Sequence, residues 1–576
     1  MNVSISWLKE LVDLNVSINE LITLLPIRTI GLKEVNEDFI ELDMKGYNRA
    51  DLLSMRGVAY EVAALTDSPL RFLAQTPKDF TWASKDLQKV KVEIQNEKLV
   101  TVYCVAKIEK LKVEPSNKEL AKRLTDCDMR PVNNIADITN LVMLEYGQPM
   151  HAFDAKAVSN ETIIVNLASQ GDSLQTLDGK LRKLDKSDLL IADPQKTLGL
   201  AGVMGGKDSE VSDSTTTILL EAAIFDPVTI RKTATRLGLR SEASKRFEHG
   251  LSKIRLLQAL DAAIRMYQDL GGKLTAINLV GNFETTEKKL DLRVSKVNSL
   301  MGIPLDEETI TNCLTKLNFS VNLASHSTSG NVILEVAVPY FRLDINIEED
   351  LIEEVARIYG YEQIPSKPLE GELPEKLDQS LPNFIYDLKK TLAGAGLTEV
   401  QTYSFYSTQV LRALGFDETN QDEIIKVTNP ISAETEYLRT FIWPNLVEVV
   451  AKNIKQGYKD IAVFELGKVY MPQRGKLPKE IYRLAIALMN GTDNPIEELL
   501  TLQGEALRAW KVEKGGLVKK MEKLEALFHP NKYATVKANN RVIGKIAEVH
   551  PRFLNHFGID KRVAILEISL PQQQTL

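Results

Sequence analysis

Four carboxylates near the middle of the chain have the types and spacing of a cation site. Asp350, Glu353 and Glu354 stand at i, i+3 and i+4, so one face of a helix would carry all three. Asp344, at the end of a predicted strand, could approach the same point. Hard cations such as Mg²⁺ take oxygen ligands of this kind. The alternative interpretation is a solvated acidic face that binds nothing.

An internal repeat provides a control for this cluster. Both copies carry an Arg-x-Asp motif followed by Glu-Val-Ala at the same distance, starting at Arg49 and at Arg342. The first copy has different residues, Arg56, Gly57 and Tyr60, where the second has Glu349, Asp350 and Glu353. Two similar units far apart indicate a duplicated module. A shared fold explains the common residues but not the acids of one copy, so metal or partner contact and a solvated face both remain open from these residues alone.

A second set of residues could recognise a polar ligand. Glu221 interrupts the apolar run 219–225, so we expect a buried carboxyl with a hydrogen-bond partner or a shifted pKa. Such a carboxyl could bind a hydroxyl group inside an apolar pocket. His151 follows a Gly-Gln-Pro turn, so we expect it on a loop at the edge of a pocket, and Gly205 would permit close approach of a ligand. Alternatively, the glutamate and the histidine are satisfied structural residues.

Composition and missing motifs exclude several functional classes. A net charge of −7 argues against general coating of nucleic acid, although not against a local basic groove. Three scattered cysteines give no disulfide framework, which is typical of a reducing cytoplasm. We expect neither a signal peptide nor a membrane span. Because no Ser-His-Asp order, GxSxG elbow or Walker loop is evident, the sequence does not support a protein nucleophile.

A chain of 576 residues predicts about three to five domains. Hydrophobic periodicity predicts helices over residues 5–25, 117–126, 138–145, 252–270 and 306–317. Alternating or β-branched runs predict strands over residues 39–42, 90–94, 102–106 and 332–338. Polar or proline-rich stretches at 78–89 and 365–382 are typical of linkers.

Several longer motifs lie around these residues. They are Val3–Leu14, Asn48–Ser54, Asn140–Asp154, Ile347–Tyr361, Thr428–Thr440 and Phe464–Gly467. Together they resemble the beta subunits of bacterial phenylalanyl-tRNA synthetases, and the resemblance extends over nearly the whole chain.

The resemblance implies a multidomain α+β fold. Duplicated small α/β modules would flank a mixed editing domain, followed by a class II synthetase-like antiparallel-sheet domain. The implied boundaries are an N-terminal module at 1–75, a B3/B4-type editing domain at 90–282, a B5-type module at 285–366 and the synthetase-like domain at 380–570.

The resemblance also implies partners and a division of labour. The chain would join an alpha subunit in an α₂β₂ heterotetramer that binds tRNA. The alpha subunit would use ATP and Phe to make Phe-tRNA, and the beta chain's own synthetase-like domain would be inactive. Residues 381–570 agree, because they show no pair of class II ATP-binding motifs.

In the family, an editing pocket hydrolyses Tyr wrongly attached to the tRNA. An apolar synthetic pocket rejects an added hydroxyl poorly, which explains the use of a second site. The family's pocket residues correspond here to Arg130, Thr139, Asn140, His151, Gly205, Glu221, Ser241 and Ala243. Glu221 would accept the tyrosine hydroxyl's hydrogen bond, and His151 with Asn140 and Thr139 would orient the ester or a water molecule.

The family's Mg²⁺ ligands correspond to Asp344, Asp350, Glu353 and Glu354, where the ion would be structural and near the alpha–beta contact. From the resemblance we expect two differences from bacterial relatives. The sequence leaves no room for their tRNA-binding OB-fold after the first helix, and it ends before their C-terminal anticodon-binding domain.

Two other functional classes remain open from the sequence. One is a scaffold and tRNA-binding subunit without working editing activity. The other is a free-standing tRNA deacylase, which the implied inactive synthetase-like domain argues against.

Overall fold

The structure, a computed structural model, describes most of the chain. The described residues are 1–72, 80–82, 87–326, 332–368, 371–372, 377–416, 423–491, 494–509, 515–518, 525–538 and 541–570. The chain divides into two compact units, Met1–Pro368 and Leu369–Leu576. Helices and several separate sheets occur in both, so the fold is mixed α and β.

The first unit contains both copies of the repeat, and both have the element order β-α-α-β-β-α. The first copy comprises strands Asn2–Ser4, Leu32–Val35 and Phe39–Leu42 and helices Ile5–Leu11, Ile18–Arg28 and Met55–Thr66. The second comprises strands Lys288–Arg293, Ser320–His326 and Val332–Val338 and helices Val294–Met301, Glu307–Lys316 and Glu348–Tyr359. In each three-stranded sheet the last strand is central. The duplication inferred from sequence is therefore also a duplication of topology.

The single helix predicted over residues 5–25 is wrong. The first helix ends at Leu11, and the second begins after Ser17. Ser17 and Glu20 form a capping box, in which each side chain bonds to the other residue's backbone N–H. This arrangement satisfies N–H groups that a helix start leaves free, so it favours a new helix at this point.

The two copies share one hydrophobic core. Its buried side chains come from both copies, among them Trp7, Val62, Leu314 and Val355. The buried stripe predicted for the helix Glu348–Tyr359 is confirmed, since Leu351, Ile352, Val355 and Ile358 are all buried.

The residues that separate the two copies in sequence form two larger sheets, which pack face to face. The four-stranded sheet has the order Lys273–Gly281, Val100–Glu109, Thr217–Phe225, Met150–Asp154. The five-stranded sheet has the order Met204–Gly205, Thr197–Leu200, Leu189–Ala192, Thr162–Leu167, Lys91–Ile94. A short hairpin joins Ser173–Gln175 to Leu181–Lys183. The helices of this region are Lys118–Asp126, Asn134–Tyr146, Pro227–Leu237, Glu242–His249 and Lys253–Asp269.

The second unit is built on a seven-stranded sheet. Its strand order is Thr398–Glu399, Ile461–Met471, Lys479–Met489, Ala564–Ser569, Arg541–Val549, Phe528–Ala538, Gly515–Val518. All pairings are antiparallel except the first. A small sheet contains Phe405–Tyr406, Tyr437–Leu438 and Ile425–Lys426. The helices are Ser380–Gly394, Thr408–Leu414, Trp443–Lys455, Pro495–Ala509 and Pro551–Asn555. None of the helices in the described part of the chain has the length and apolarity needed to cross a bilayer.

Candidate functional site

Glu221 lies in the middle of the strand Thr217–Phe225, and its side chain is only 6% exposed. Its neighbours on the same face, Leu219, Ala223 and Phe225, belong to the core between the four-stranded and five-stranded sheets. Alternation along the strand therefore directs the carboxyl group between the two sheets. Burial raises the pKa of Glu221 to about 8, so the carboxyl is largely protonated at neutral pH. The predicted burial and pKa shift are both present.

His151 lies in the strand Met150–Asp154 and not on the predicted loop, because this segment pairs with the strand that carries Glu221. Antiparallel pairing places His151 directly opposite Glu221 in the neighbouring strand. A Cβ atom on Gly205 would lie 2.7 Å from His151 Cε1 and 2.8 Å from its Nε2, so only glycine leaves room for the ring. The ring packs edge-on against Phe153, with centroids 4.5 Å apart. Burial lowers the pKa of His151 to about 4, so the imidazole is neutral at pH 7.

Tyr103 is a third polar member of this cavity that sequence reasoning missed. It is fully buried, and it lies on the neighbouring strand diagonal to Glu221 on the same face. Its phenol lies close enough to the Glu221 carboxyl to oppose the rise in the pKa of Glu221 through a hydrogen bond, although burial outweighs this effect. His151 Nε2 has no hydrogen-bond partner among the described residues. The predicted strand over 102–106 contained Tyr103, but its pairing register could not be read from sequence.

Ser241 and Ala243 lie at the start of the helix Glu242–His249. The Ser241 hydroxyl donates to the carbonyl oxygen of Val203 at 2.7 Å and accepts from the backbone N–H of Ser244 at 3.0 Å. It thereby caps the helix Glu242–His249. Ala243 is half-buried against the core between the two sheets. The Ser241 side chain is therefore fixed to the chain segment that leads to Gly205.

Three predicted pocket residues are placed differently. The helix Asn134–Tyr146 packs on the opposite face of the four-stranded sheet, where Ile138 and Val142 join a separate core. Thr139 is buried there, and its hydroxyl donates to the carbonyl oxygen of Ala136 at 2.7 Å. Asn140 is half-buried on this helix, and Arg130 is exposed in the loop before it. The structure brings Glu221, His151 and Gly205 together, and among the described residues it shows no side-chain bond from Arg130, Thr139 or Asn140 to that group.

The acids of the repeat form a buried ion-pair network. In the first copy Arg49 binds Asp51 through two bonds of 2.7 and 2.8 Å and Glu61 through one of 2.8 Å. In the second copy Arg342 binds Asp344 through bonds of 2.6 and 3.0 Å and also binds Glu354. The shared Arg-x-Asp and glutamate thus build the same ion-pair triplet twice.

Arg357 joins the two triplets. Its guanidinium binds Glu354 through bonds of 2.5 and 2.9 Å, and it also binds Glu61 of the first copy. Burial opposes ionisation of Glu354, but Arg357 and Arg342 hold the pKa of that carboxyl below its usual range. Arg357 and Arg49 act in the same direction on Glu61. Both glutamates are therefore charged and fully paired.

This pairing does not fit the predicted magnesium ligands as one set. Asp344 and Glu354 are bound to arginine, and the carboxylate of Asp350 accepts the backbone N–H groups of Asn346 and Ile347 at 2.6 and 2.9 Å. Glu353 is exposed. Within the described ranges no three His, Cys, Asp or Glu side chains are grouped to hold a metal ion. The predicted common face also fails, because Glu354 points into the protein and Glu353 away from it.

The face that carries the acids is covered in the first copy. There Arg56 pairs with Glu145 at 2.8 Å, and Tyr60 stacks on Phe341 with ring centroids 4.7 Å apart. The corresponding residues of the second copy include the exposed Glu349 and Glu353. This helix face is therefore packed against other residues of the chain in the first copy and exposed to solvent in the second.

Three protein-family models match consecutive parts of this chain. The B3/4 domain matches residues 99–272, the tRNA synthetase B5 domain residues 290–361, and the phenylalanyl tRNA synthetase beta chain CLM domain residues 364–570. The phenylalanine–tRNA ligase beta subunit of Moorella thermoacetica is 35% identical over 94% of this chain and 67% of its own length. The chain belongs to this beta-subunit family.

Other members of the family give the same result. The beta subunits of Staphylococcus haemolyticus and Geobacter sulfurreducens are 36% and 34% identical over 90% and 91% of this chain. The matches cover 64% and 66% of those two proteins. The chain therefore spans about two thirds of the length of the beta subunits that it resembles.

Proposed function

We propose that this chain is the beta subunit of a cytoplasmic phenylalanine–tRNA ligase, an α₂β₂ heterotetramer that binds tRNA. The alpha subunit would use ATP to attach Phe to the tRNA, and the beta chain would support this reaction. Membership of the family and the three matched domains support this assignment.

The domains of the proposed subunit follow the boundaries expected from the sequence. Two small modules at 1–75 and 285–366 flank an editing domain at 90–282, and an inactive class II synthetase-like domain occupies 380–570. The repeated element order supports the two modules, and the antiparallel seven-stranded sheet supports the last assignment.

We propose that the cavity around Glu221 hydrolyses Tyr-tRNA. The observation that carries this proposal is the group of buried polar side chains formed by a protonated Glu221, the Tyr103 phenol beside it, and His151, whose Nε2 has no partner among the described residues. The tyrosine hydroxyl would pair with Glu221, and a water molecule would pair with His151, so neither buried polar group would stay unpaired. A phenylalanyl side chain offers Glu221 no hydroxyl, so such a site selects tyrosine over phenylalanine.

The roles within the cavity follow from charge and space. A protonated Glu221 donates one hydrogen bond and accepts another, so it can bind the phenol in either direction. Gly205 leaves room beside His151, and Ser241 and Ala243 form the wall. The neutral His151 accepts a hydrogen bond from a water molecule and orients it toward the ester carbonyl. Attack by this water breaks the ester bond, releasing tyrosine and the free hydroxyl of the terminal ribose.

Arg130, Thr139 and Asn140 remain proposed members of the site on the tRNA side. The exposed guanidinium of Arg130 suits a phosphate of the tRNA backbone. Thr139 and Asn140 would contribute only if the helix that carries them contacts the acceptor end of the tRNA.

Hydrolysis of Tyr-tRNA by the assembled enzyme tests this proposal. The chain is co-expressed with its alpha subunit, and deacylation of Tyr-tRNA and charging with Phe are both measured. We expect Glu221→Ala to lower deacylation by about 5- to 150-fold without changing Phe charging, because a lost buried hydrogen bond costs about 1–3 kcal/mol. Glu119→Ala, at a side chain that is 74% exposed, is the matched control.

The same assay separates the alternatives. A wild-type complex that charges Phe but leaves Tyr-tRNA intact would establish a scaffold without editing. Equal deacylation by wild type and Glu221→Ala would place the editing site elsewhere.

We propose the uncovered acidic face of the helix Glu348–Tyr359 as the contact with the alpha subunit. Asp350 and Glu353 are the two predicted Mg²⁺ ligands that are not paired with arginine, so any Mg²⁺ contact would depend on them. The combined change Asp350→Asn and Glu353→Gln should weaken assembly, measured by co-purification of the alpha subunit with and without EDTA. Unchanged assembly in both buffers would mean that these acids are only a solvated face.

A further inference from the structure

Two neighbouring segments of the first unit are rich in positive charge. Residues 227–240, which comprise the helix Pro227–Leu237 and the turn after it, contain four basic residues and no acidic one. Residues 173–188, which comprise the short hairpin and the turn after it, contain four basic residues and three acidic ones. The whole chain has a net charge of −7, so these two segments differ from it in the sign of their charge.

Two arginines join the hairpin to the end of the helix. Arg182 Nη1 donates to the carbonyl oxygen of Leu237 at 3.4 Å, and Arg236 Nη1 donates to the carbonyl oxygen of Lys183 at 3.3 Å. Both contacts lie at the last turn of the helix, where cations are favoured by the helix dipole. The two basic segments therefore form one continuous surface.

Most of the cations on this surface have no carboxylate partner. Arg182 pairs with Asp178 at 2.6 Å, and Arg236 pairs with the buried Asp188. Asp185 is the only other acid in the two segments. The remaining six cations are exposed and form no ion pair with the described residues, and we call them the basic surface: Lys180, Lys183, Lys186, Arg231, Lys232 and Arg240. Because neighbouring like charges repel, an anionic partner would stabilise this arrangement.

The same two segments contact the chain around Gly205. The backbone N–H of Leu177, in the turn of the hairpin, donates to the carbonyl oxygen of Gly205 at 3.1 Å. A Cβ atom on Gly202 would lie 3.1 Å from Cδ1 of Ile230, which belongs to the helix. Gly205 in turn lies against the ring of His151. The basic surface therefore borders the chain segment that flanks the proposed editing site.

An RNA backbone suits this surface better than a small anion does. Arg231 and Arg240 lie on either side of a helical stretch that is about 9 Å long, so the cations are spread out rather than gathered around one point. A nucleic acid strand carries a negative charge at every phosphate and can contact several separated cations at once. Lysine and arginine side chains are the usual partners of such phosphates.

We propose that the basic surface binds the phosphate backbone of the tRNA near its aminoacylated end. This inference rests on the proposed editing function, because it describes how the ester is held at the cavity around Glu221. Contacts to phosphates position a nucleic acid but carry no sequence information. The surface therefore holds the tRNA, and the cavity distinguishes the amino acid.

Binding of uncharged tRNA to the complex of this chain with its alpha subunit tests the proposal. The triple variant Arg231→Gln, Lys232→Gln and Arg240→Gln removes three exposed charges and no buried group, so its Tm should equal that of wild type. We expect the Kd, measured by filter binding, to rise by about tenfold. The slope of log Kd against log salt concentration should fall by about two to three units, close to one for each lost phosphate contact.

A second triple variant is the matched control. Lys452→Gln, Lys455→Gln and Lys459→Gln remove the same charge at and after the end of the helix Trp443–Lys455 in the second unit, where all three lysines are exposed. This control should bind tRNA as wild type does. If both triple variants weaken binding equally, the tRNA responds only to net charge and the proposal fails. It also fails if the first variant keeps wild-type affinity, or if it loses the alpha subunit on co-purification, which would make the surface a protein interface.

Steady-state deacylation of Tyr-tRNA separates this proposal from the editing function. The variant of Arg231, Lys232 and Arg240 should raise KM by about tenfold and leave kcat unchanged, because these residues contact the tRNA and not the reacting ester. Glu221→Ala should lower kcat and leave the Kd for tRNA unchanged. A fall in kcat without a rise in KM in the triple variant would contradict a role in binding. If wild type does not hydrolyse Tyr-tRNA, the editing function fails, and the Kd and its salt dependence alone decide whether the surface binds tRNA.

Discussion

The ring of His151 lies so close to Gly205 that no side chain larger than a hydrogen atom fits at this position. We predict that Gly205→Ala displaces this ring, because the added Cβ would lie 2.7 Å from Cε1. Deacylation of Tyr-tRNA should fall by at least about tenfold, since misplacement by about 1 Å can cost a hundredfold. The measurement is single-turnover deacylation beside Phe charging, which should not change. Gly504→Ala, at a glycine with no atom within 4 Å of the added Cβ, should leave both rates unchanged.

The protonated state of Glu221 predicts a pH-dependent stability. Its folded pKa, about 8, lies above the ordinary value of 4.5, so its stabilising contribution is full below pH 4.5 and is lost as pH rises toward 8. Glu221→Gln keeps the shape and removes the titration. We therefore expect this variant to gain stability relative to wild type as pH rises, on the order of 3 kcal/mol at pH 7.5.

The measurement is the difference in Tm between Glu221→Gln and wild type at pH 5 and pH 7.5. His151, with a pKa lowered to about 4, loses its contribution as pH falls from 6.5 toward 4, which is the opposite trend. It is present in both proteins, so the difference isolates Glu221. A difference that does not vary with pH would mean that Glu221 is ionised in the folded protein.

Sequence alone predicted the burial of Glu221 but not the arrangement of the side chains around it. The apolar run around Glu221 predicts burial, and burial predicts its shifted pKa. Tyr103 could not be found in the same way, because its place beside Glu221 depends on the pairing of two strands that are distant in sequence. Thr139 and Asn140 were assigned through the family's motif alone, and packing places their helix on the other face of the sheet.

At the scale of elements, the stability of the helix Glu348–Tyr359 depends on its buried ion pairs more than its sequence indicates. We predict that Arg357→Met lowers the free energy of unfolding by about 3–5 kcal/mol, because Glu61 and Glu354 then lose their shared cation inside the protein. Chemical denaturation followed by circular dichroism measures this effect. Glu362→Gln removes the pair between Arg28 and a side chain that is 46% exposed, so it should cost less than about 1 kcal/mol.

A second variant tests the cause of that loss. Adding Glu61→Gln to Arg357→Met removes one of the stranded charges, and it should restore part of the stability. If the double variant is less stable by the sum of two independent losses, the network does not act as a unit.

The element boundaries show what local sequence can predict. The strands Phe39–Leu42 and Val332–Val338 and the helix Lys118–Asp126 match their predictions closely, because alternation, periodicity and the Asn117 cap are local signals. The acidic helix was predicted correctly, but the direction of Glu354 was not. Its direction is set by Arg342 and Arg357, and only the packed repeat brings Glu61 of the other copy to them.

On the scale of the whole molecule, the shared core and the ion network join both repeats to the two-sheet region as one compact unit. We predict that residues 1–368 fold alone, because the buried apolar clusters of this unit are completed within it. The isolated fragment should show a cooperative thermal transition and keep the Glu221→Gln effect on Tm. A fragment without a cooperative transition would mean that the rest of the chain is needed for its folding.

Arg357 binds one glutamate from each copy of the repeat, Glu61 and Glu354. A substitution in one copy that changes this charge network therefore requires a matching substitution in the other. A hybrid protein that takes only one copy from a distant relative would inherit half of a matched set of charges. Chimeric beta subunits should therefore fold when both copies of the repeat come from the same parent protein, and they should fail to fold more often when the two copies come from different parents.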